Sequence, residues 1–187
     1  MSRTATATIA NSACDSDQFV SLFPTDLGWM GIVGRVNVVR SVLVGHSSAA
    51  SIRKSARHAD FGAGRRQPPG ESDWHPKLRE ALQDYAQGKR VNFSEFDLQL
   101  PPRTPFRDKV LAATRQLGYG EITTYGDLAR LVGHPGAARA VGTVMSTNRF
   151  PILIPCHRVM AAGGKLGGYT SPAGTDLKQR LLDMEQA

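Results

Sequence analysis

The segment at residues 104–145 constrains the fold most, because helix-starting and helix-ending residues recur there at short intervals. Thr104 precedes a proline, as a capping residue does before the first helical position. Apolar residues then recur at helical spacing as far as Gly118. Thr124 begins a capping-box pattern, and a turn at residues 134–136 leads into a helix of small residues. Two short helices joined by a tight turn predict a helix-turn-helix.

The first hundred residues predict a smaller domain that mixes strands and helices. We find no constellation of catalytic residues in this half of the sequence. The expected elements are a hairpin of two β-rich runs (residues 27–33 and 36–44, split by Gly34-Arg35), helices at residues 47–59 and 75–87, and a strand at residues 93–100.

Pro101-Pro102 marks a boundary between the two halves, because paired prolines favour extended, semi-rigid linkage. The start of the chain is rich in Ser, Thr and Ala, and we expect a frayed tail there. The sequence therefore predicts an α+β protein. Its expected parts are a tail at residues 1–18, an N-terminal α+β domain at 19–100 and a mainly helical C-terminal domain at 101–187.

The charge is unevenly distributed along the chain, whose formal net charge is +7. Residues 101–187 carry 11 basic and 6 acidic side chains, whereas residues 1–100 carry 12 and 10. No acidic residue stands between Asp127 and Asp176, although five basic residues fall there. A solvated basic face is one interpretation. A surface that faces phosphates is the other, and the surrounding motifs favour it.

The two cysteines, Cys14 and Cys156, are far apart and form neither a disulfide framework nor a metal-ligand pattern. This usage suits a reducing cytosol. No apolar run is long enough to span a membrane, and the first residues do not resemble a secretory signal. We therefore expect no membrane contact and a cytoplasmic location, at the nucleoid in a bacterium or in the nucleus of a eukaryotic cell.

The chemistry of the chain is concentrated where an apolar run leads through Pro155 to Cys156-His157-Arg158. A thiol becomes a nucleophile as the thiolate, which a nearby cation or imidazole favours. Adjacent residues of an extended chain point in opposite directions, so a turn or a bridging water must connect the thiol to the imidazole. The alternative is a buried structural cysteine beside two surface residues.

The third helix of the second half, AARAVGTVM, carries almost no side chain on one face, from which Arg139 projects alone. Close packing against a neighbouring helix is one explanation of its small residues. The other is a helix that presses into a DNA groove and offers Arg139 as a wedge.

Together these segments resemble a known family. The run NRFPILIPCHRV is similar to the active-site signature of the O6-alkylguanine-DNA alkyltransferases, whose core is Pro-Cys-His-Arg-Val. The similarity extends over residues 104–185, through TPFRDKV, GEITTYGDLA, AARAVGTVMSTN and LGGYTSPAGTDLKQRLLDME. The resemblance implies an RNase H-like N-terminal α/β domain and a winged helix-turn-helix C-terminal domain.

The resemblance also implies a catalytic role for five residues. Cys156 corresponds to the alkyl acceptor, and His157 to the residue that draws the thiol proton through a water. Glu185 matches the carboxylate that orients this histidine, and Asn148 a residue that braces the active-site turn. Tyr125 matches a residue that rotates the damaged nucleotide and donates a proton toward the base.

The remaining implied residues contact the DNA or the base. Arg139 corresponds to a finger that fills the gap left by a flipped nucleotide. Thr170 stands where the family often has Ser, and the stretch from Tyr169 lacks a common Gly-Gly, which affects the pocket wall. The DNA-binding set is Arg139, Tyr125, Thr124, Ala137, Ala138, Ala140 and Gly142. The base-pocket set is Met145, Val159, Gly168, Tyr169 and Thr170.

The implied function is direct reversal of DNA damage by a monomer. O6-alkylguanine in double-stranded DNA, and also O4-alkylthymine, would be flipped out and would pass its alkyl group irreversibly to Cys156. No cofactor is expected, because the protein is the acceptor, and no zinc-ligand set is found. A damage sensor of the alkyltransferase-like type is the main alternative, although such proteins replace the cysteine. A transcription regulator would place base-reading side chains on its second helix, and a cysteine hydrolase would need an oxyanion hole.

Overall fold

The computed structural model describes residues 18–35, 38–58, 70–100 and 104–187. The expected tail up to residue 17, with Cys14, lies outside the described residues. So do residues 36–37, at the start of the second expected β-rich run, and the boundary at Pro101-Pro102.

The first half is built on a four-stranded sheet. Its strands are β1 (Phe19–Thr25), β2 (Gly28–Arg35), β3 (Val38–His46) and β4 (Gly70–Glu71), in the order β3-β2-β1-β4. The pairing of β2 with β3 is antiparallel, as expected for the hairpin, but the expected split at Gly34-Arg35 is wrong, because both residues pair within β2, with Val39 and Val38. β1 was not expected from the sequence, because Pro24 interrupts its pattern. The parallel ladder with β4 involves Phe19 and Val20, so Pro24 lies beyond it, where a missing N–H is tolerated.

Two helices cover the sheet as expected, α1 (Ala49–His58) and α2 (Pro76–Ala86). The ring Nδ1 atom of His75 caps α2 by accepting a hydrogen bond from the Leu78 amide at 3.3 Å. Leu78, Leu82 and Tyr85 have no exposed surface, and their spacing places them on one face of the helix. α2 thereby points a tyrosine toward the second half of the chain.

The expected strand at residues 93–100 is wrong. Phe93 and Phe96 are both buried, and the chain turns between them, with the Phe96 amide donating to the Phe93 carbonyl. Leu98 makes one isolated bridge to Val39. Two aromatic anchors three residues apart suit a turn, since a strand would send such positions to opposite faces.

The second half contains the expected helix-turn-helix. Thr104 and Thr124 accept hydrogen bonds from the amides of Arg107 and Asp127, which confirms both expected caps. The elements are α3 (Pro105–Arg115), β5 (Thr123–Thr124), α4 (Tyr125–Leu131), α5 (Ala138–Ser146), β6 (Val159–Met160) and α6 (Gly174–Gln186), with 3-10 turns at Cys156–Arg158 and Ala162–Gly164. Within the described ranges, no helix is both long and apolar enough to cross a membrane.

The two halves share one hydrophobic core, which includes Met30 from the sheet, Leu82 from α2 and Leu181 from α6. Hydrogen bonds cross the same boundary. The Val42 amide donates to the Arg149 carbonyl at 2.8 Å. One guanidinium nitrogen of Arg115 lies within 3.2 Å of three carbonyls, those of Phe93, Ser94 and Phe96.

We expect Arg115→Ala to lower the free energy of unfolding by about 2 kcal/mol, because it removes a charged donor from three carbonyls. Arg180 is the matched control, since its exposed guanidinium donates to a single carbonyl across the same boundary, that of Asp26. Arg180→Ala should cost much less. Urea denaturation measures both, and equal losses would contradict the prediction.

Candidate active site

A tight turn positions the cysteine. The Ile154 amide donates to the Phe150 carbonyl at 2.8 Å, and the Cys156 amide to the Ile154 carbonyl at 2.7 Å. Asn148 braces this turn from both sides, by donating from Nδ2 to the Ile154 carbonyl and accepting from the Phe150 amide. Within it Ile152 has φ of +73°, a strained conformation for a β-branched residue. The surrounding hydrogen bonds over-determine the turn and so sustain this strain.

The 3-10 turn at Cys156–Arg158 separates the thiol from the imidazole. Cys156 lines a cavity and keeps 8% of its surface exposed, whereas His157 is completely buried behind it. The Nδ1 atom of His157 is buried and has no hydrogen-bond partner within the described ranges. Its lone pair is therefore available to accept a proton, directly or through a water.

The Glu185 carboxylate lies buried at the centre of a hydrogen-bond network. Its Oε1 atom accepts from Tyr85 Oη (2.5 Å), Arg158 Nη2 (2.7 Å) and His157 Nε2 (3.0 Å). Its Oε2 atom accepts from Arg158 Nε (2.8 Å) and the Gly120 amide (3.1 Å). Burial opposes ionisation, but these hydrogen bonds outweigh it and hold the pKa of Glu185 well below its usual range.

Burial sets the resting charge of the other two groups. It raises the pKa of the Cys156 thiol, although a hydrogen bond from Asn148 and the charge of Lys178 act in the opposite direction. It lowers the pKa of His157, against the effect of the Glu185 carboxylate. The resting pair is therefore a thiol and a neutral imidazole. A proton that moves from sulfur to Nδ1 would form an imidazolium beside a carboxylate that is already ionised.

A buried lysine, Lys178 on α6, lies near the thiol. Its Nζ atom donates to the carbonyls of Val159, at 2.7 Å, and of Leu166, and it sits 5.9 Å from the ring centroid of Tyr125. Burial lowers the pKa of Lys178 to about 8, while a negative charge on Cys156 would raise it. A positive charge at this position favours the thiolate.

The cavity beside the thiol has a volume of about 670 Å³. It brings together most of the residues that the sequence assigned to DNA and base contacts. Those that line it are Thr124, Tyr125, Ala138, Arg139, Gly142, Met145, Cys156, Gly168, Tyr169 and Thr170.

Three residues of the predicted sets lie outside this lining. Val159 is fully buried in the core, and its backbone pairs with Thr123 between β5 and β6. Ala137 is the N-cap of α5. Ala140 is exposed on the outer surface of the same helix.

Among the described residues, packing does not require small side chains at Ala140 and Gly142 of α5. A Cβ atom added to Gly142 would meet no atom within 4 Å, and Arg139 and Ala140 are exposed. Close packing against a neighbouring helix therefore does not explain this face. An external surface that approaches the helix backbone closely does explain it.

The sequence missed three residues of the site, Tyr85, Arg158 and Lys178. Lys178 could have been found, because it lies seven residues before Glu185, on the buried face of α6 between leucines. Arg158 stands inside the cysteine motif but was not given a role. Tyr85 offered no signal, since it occupies an ordinary apolar position and its partners lie 72 and 100 residues away in the sequence.

No group of three or more His, Cys, Asp or Glu side chains in the described part of the chain could hold a metal ion.

A helix-turn-helix beside a cavity that contains a buried cysteine defines a class of DNA-binding proteins that react through a thiol. Residues 105–187 match the family model described as 6-O-methylguanine DNA methyltransferase, DNA binding domain. A methylated-DNA–protein-cysteine methyltransferase from Methanosarcina barkeri is 39% identical over 150 residues, which cover 76% of this chain and 92% of the relative. The chain belongs to the methylated-DNA–protein-cysteine methyltransferase family, and it is a methyltransferase of DNA repair.

Solved structures confirm the predicted α+β fold. The crystal structure of the Mycobacterium tuberculosis O6-methylguanine methyltransferase has a TM-score of 0.72 and 29% identity, and the match covers 90% of this chain and 93% of that one. Mycobacterium tuberculosis OGT in complex with DNA has a TM-score of 0.69 and 28% identity, over 90% of this chain and 92% of that one. DNA is therefore the macromolecular partner of this chain.

We expect Glu185→Gln to destabilise the fold at neutral pH by about 3 kcal/mol, because Arg158 would stay buried beside a neutral amide. The folded-state pKa values of Glu185 and His157 both lie below their usual values of 4.5 and 6.5. The stability that these two groups contribute is therefore fully present above pH 6.5, falls below it, and falls further below pH 4.5. The Glu185→Gln variant should lack the fall in stability below pH 4.5, because it has no carboxylate at this position. Urea denaturation across this range measures both effects.

Glu121→Gln is the control, since this exposed carboxylate accepts one hydrogen bond from the Gly118 amide. It should leave both the stability and its pH dependence nearly unchanged. A Glu185→Gln protein as stable as the wild type at neutral pH would contradict the prediction.

Proposed function

We propose that this protein removes the alkyl group from O6-alkylguanine, and from O4-alkylthymine, in duplex DNA by transferring it irreversibly to Cys156. One observation carries the proposal. The thiol lies in a cavity bordered by the exposed, small-residue face of α5, and the buried His157–Glu185 pair stands behind it. We also propose that it acts as a monomer, as the family resemblance implies.

The transfer is a displacement at the alkyl carbon. The Cys156 thiol gives its proton to His157, the sulfur forms a bond to the carbon, and the carbon–oxygen bond breaks with its electron pair on O6. A proton returned to the base then gives neutral guanine. Tyr125 lines the cavity, and burial raises its pKa, so its hydroxyl keeps a proton that it can donate toward the base. The product is a thioether that water does not hydrolyse, so each chain acts once.

The damaged nucleotide has to leave the helix, because an alkyl group within the base stack cannot meet a protein thiol in line. Arg139 lies at the edge of the cavity on the exposed surface of α5, where its side chain can fill the vacated position. The cavity wall includes Tyr169, whose hydroxyl is buried without a hydrogen-bond partner among the described residues. That hydroxyl is available to an extruded base.

The first test is the intact mass of the protein after incubation with a duplex oligonucleotide that contains O6-methylguanine. We expect the mass to rise by one methylene, at one equivalent per chain, and peptide mapping to place it on Cys156. Cys156→Ala should gain nothing and still bind the same DNA, because the cysteine is not on the exposed face of α5. An unchanged wild-type mass with tight, lesion-selective binding would instead identify a damage sensor.

Arg139→Ala should slow transfer from duplex DNA by about 10- to 100-fold, because unstacking a nucleotide costs a few kcal/mol that the inserted side chain partly offsets. Transfer from the same single strand should change much less, since fewer base contacts must be broken. Arg149→Ala is the matched control, because it removes an equal charge from an exposed arginine outside the cavity lining. If the transfer rate falls equally on duplex and single-stranded DNA, or equally in both variants, Arg139 contributes only a contact to phosphate.

A further inference from the structure

We propose that Tyr85 is a positioning residue for the His157–Glu185 pair, so that the N-terminal half of the chain completes the reactive site. The inference rests on the proposed transfer to Cys156 and adds a group that controls its base. Tyr85 belongs to α2, in the half where the sequence indicated no catalytic residue.

The hydroxyl of Tyr85 is hydrogen-bonded to the charged carboxylate of Glu185. Its side chain is fully buried, and Oη donates to Glu185 Oε1 at 2.5 Å. The same oxygen lies 3.3 Å from His157 Nε2. Burial first, and then the charge of Glu185, raise the pKa of Tyr85, so the hydroxyl keeps its proton and remains a donor.

The first consequence concerns the tautomer of His157. Its Nε2 atom has two oxygen atoms within reach, Glu185 Oε1 at 3.0 Å and Tyr85 Oη at 3.3 Å. Because the Tyr85 proton is directed to the carboxylate, both oxygens present lone pairs to Nε2. The imidazole proton is therefore held on Nε2, and the lone pair is left on Nδ1, which has no hydrogen-bond partner within the described ranges.

The second consequence concerns charge. A hydroxyl that donates to Oε1 takes up part of the carboxylate charge, which lowers the affinity of the adjacent imidazole for a second proton. Arg158 acts in the same direction from its 3-10 turn, as does Lys178 from α6. Cys156, the next titratable group along the 3-10 turn, lines the cavity. Tyr85 thus helps to keep His157 a neutral base until the thiol proton reaches it.

The ring of Tyr85 is fixed independently of its hydroxyl. It packs edge-on against Phe93 and Tyr119, with ring centroids 5.8 and 6.1 Å apart. Replacement by phenylalanine therefore removes the hydroxyl and retains the packing.

Tyr119 supplies a matched control. Its hydroxyl also joins the two halves: the oxygen lies 3.0 Å from the Gly88 carbonyl oxygen and 3.2 Å from that of Met184, and its one proton is donated to either of them. Within the described residues, the Tyr119 hydroxyl makes no hydrogen bond to the carboxylate of Glu185. Tyr119→Phe therefore removes a partly buried hydroxyl that joins the two halves, without changing the donors on Glu185.

The decisive measurement is the pH dependence of the alkyl-transfer rate in the wild type, Tyr85→Phe and Tyr119→Phe. Without the hydroxyl, more of the carboxylate charge falls on the imidazole, so His157 becomes protonated at a higher pH. We expect the acidic limb of the Tyr85→Phe profile to move upward by about one pH unit, a roughly tenfold loss of rate on that limb. The Tyr119→Phe profile should keep the position of the wild-type limb.

A second readout needs no alkyl transfer. Nitrogen-15 NMR of labelled histidine, assigned by loss of the His157 signal in His157→Gln, reports the tautomer and the titration of the free protein. We expect the proton on Nε2 in the wild type, and a titration shifted to higher pH in Tyr85→Phe alone. Superimposable titrations and rate profiles for wild type and Tyr85→Phe would overturn the inference. If the wild type transfers no alkyl group, the proposed function fails, and the NMR titration still decides the role of Tyr85.

Discussion

Burying the Glu185 carboxylate requires the chain to bring donors from three other segments to one point. A buried charge is tolerated when it is paired and fully hydrogen-bonded, because its lost hydration is otherwise not replaced. The donors come from α2 through Tyr85, from the loop before β5 through Gly120, and from the 3-10 turn through His157 and Arg158. These segments can converge only if the two halves pack as one core, so the reactive site and the fold depend on the same interaction.

That arrangement keeps the nucleophile unreactive at rest. Burial favours the neutral forms of both Cys156 and His157, and the thiolate is therefore not a standing feature of the site. The groups that stabilise the thiolate, Asn148 and Lys178, already lie in place around the sulfur. Proton transfer to His157 then exchanges a neutral pair for an ion pair within a prepared environment, which needs little reorganisation at the moment of reaction.

The sequence predicted what depends on neighbouring residues. The caps at Thr104 and Thr124 and the apolar face of α2 follow from spacing within one or two turns, and all three are confirmed. The family resemblance located Cys156 and its neighbours, whose geometry the local turn then fixes. What could not be predicted depends on distant contacts. In the sequence, Tyr85 has the pattern of an ordinary core residue, and its partner carboxylate on α6 lies 100 residues away. Residues 93–100 form a turn in which the rings of Phe93 and Phe96 pack together.

The two halves of the molecule thus contribute to opposite sides of the same thiol. On the outer side, α5 offers Arg139 and a face without bulky side chains, where Gly142 has open space before it. On the inner side, the N-terminal half adds a hydroxyl to the buried carboxylate. Within the described residues, no atom packs against the outer face of α5 at Gly142, whereas Tyr85 is fully buried and held by its ring contacts and its hydrogen bond to Glu185. Substitutions on the outer face of α5 therefore leave the His157–Glu185 pair undisturbed. Substitution of Tyr85 in the N-terminal half changes the environment of that pair and leaves the outer face of α5 unchanged.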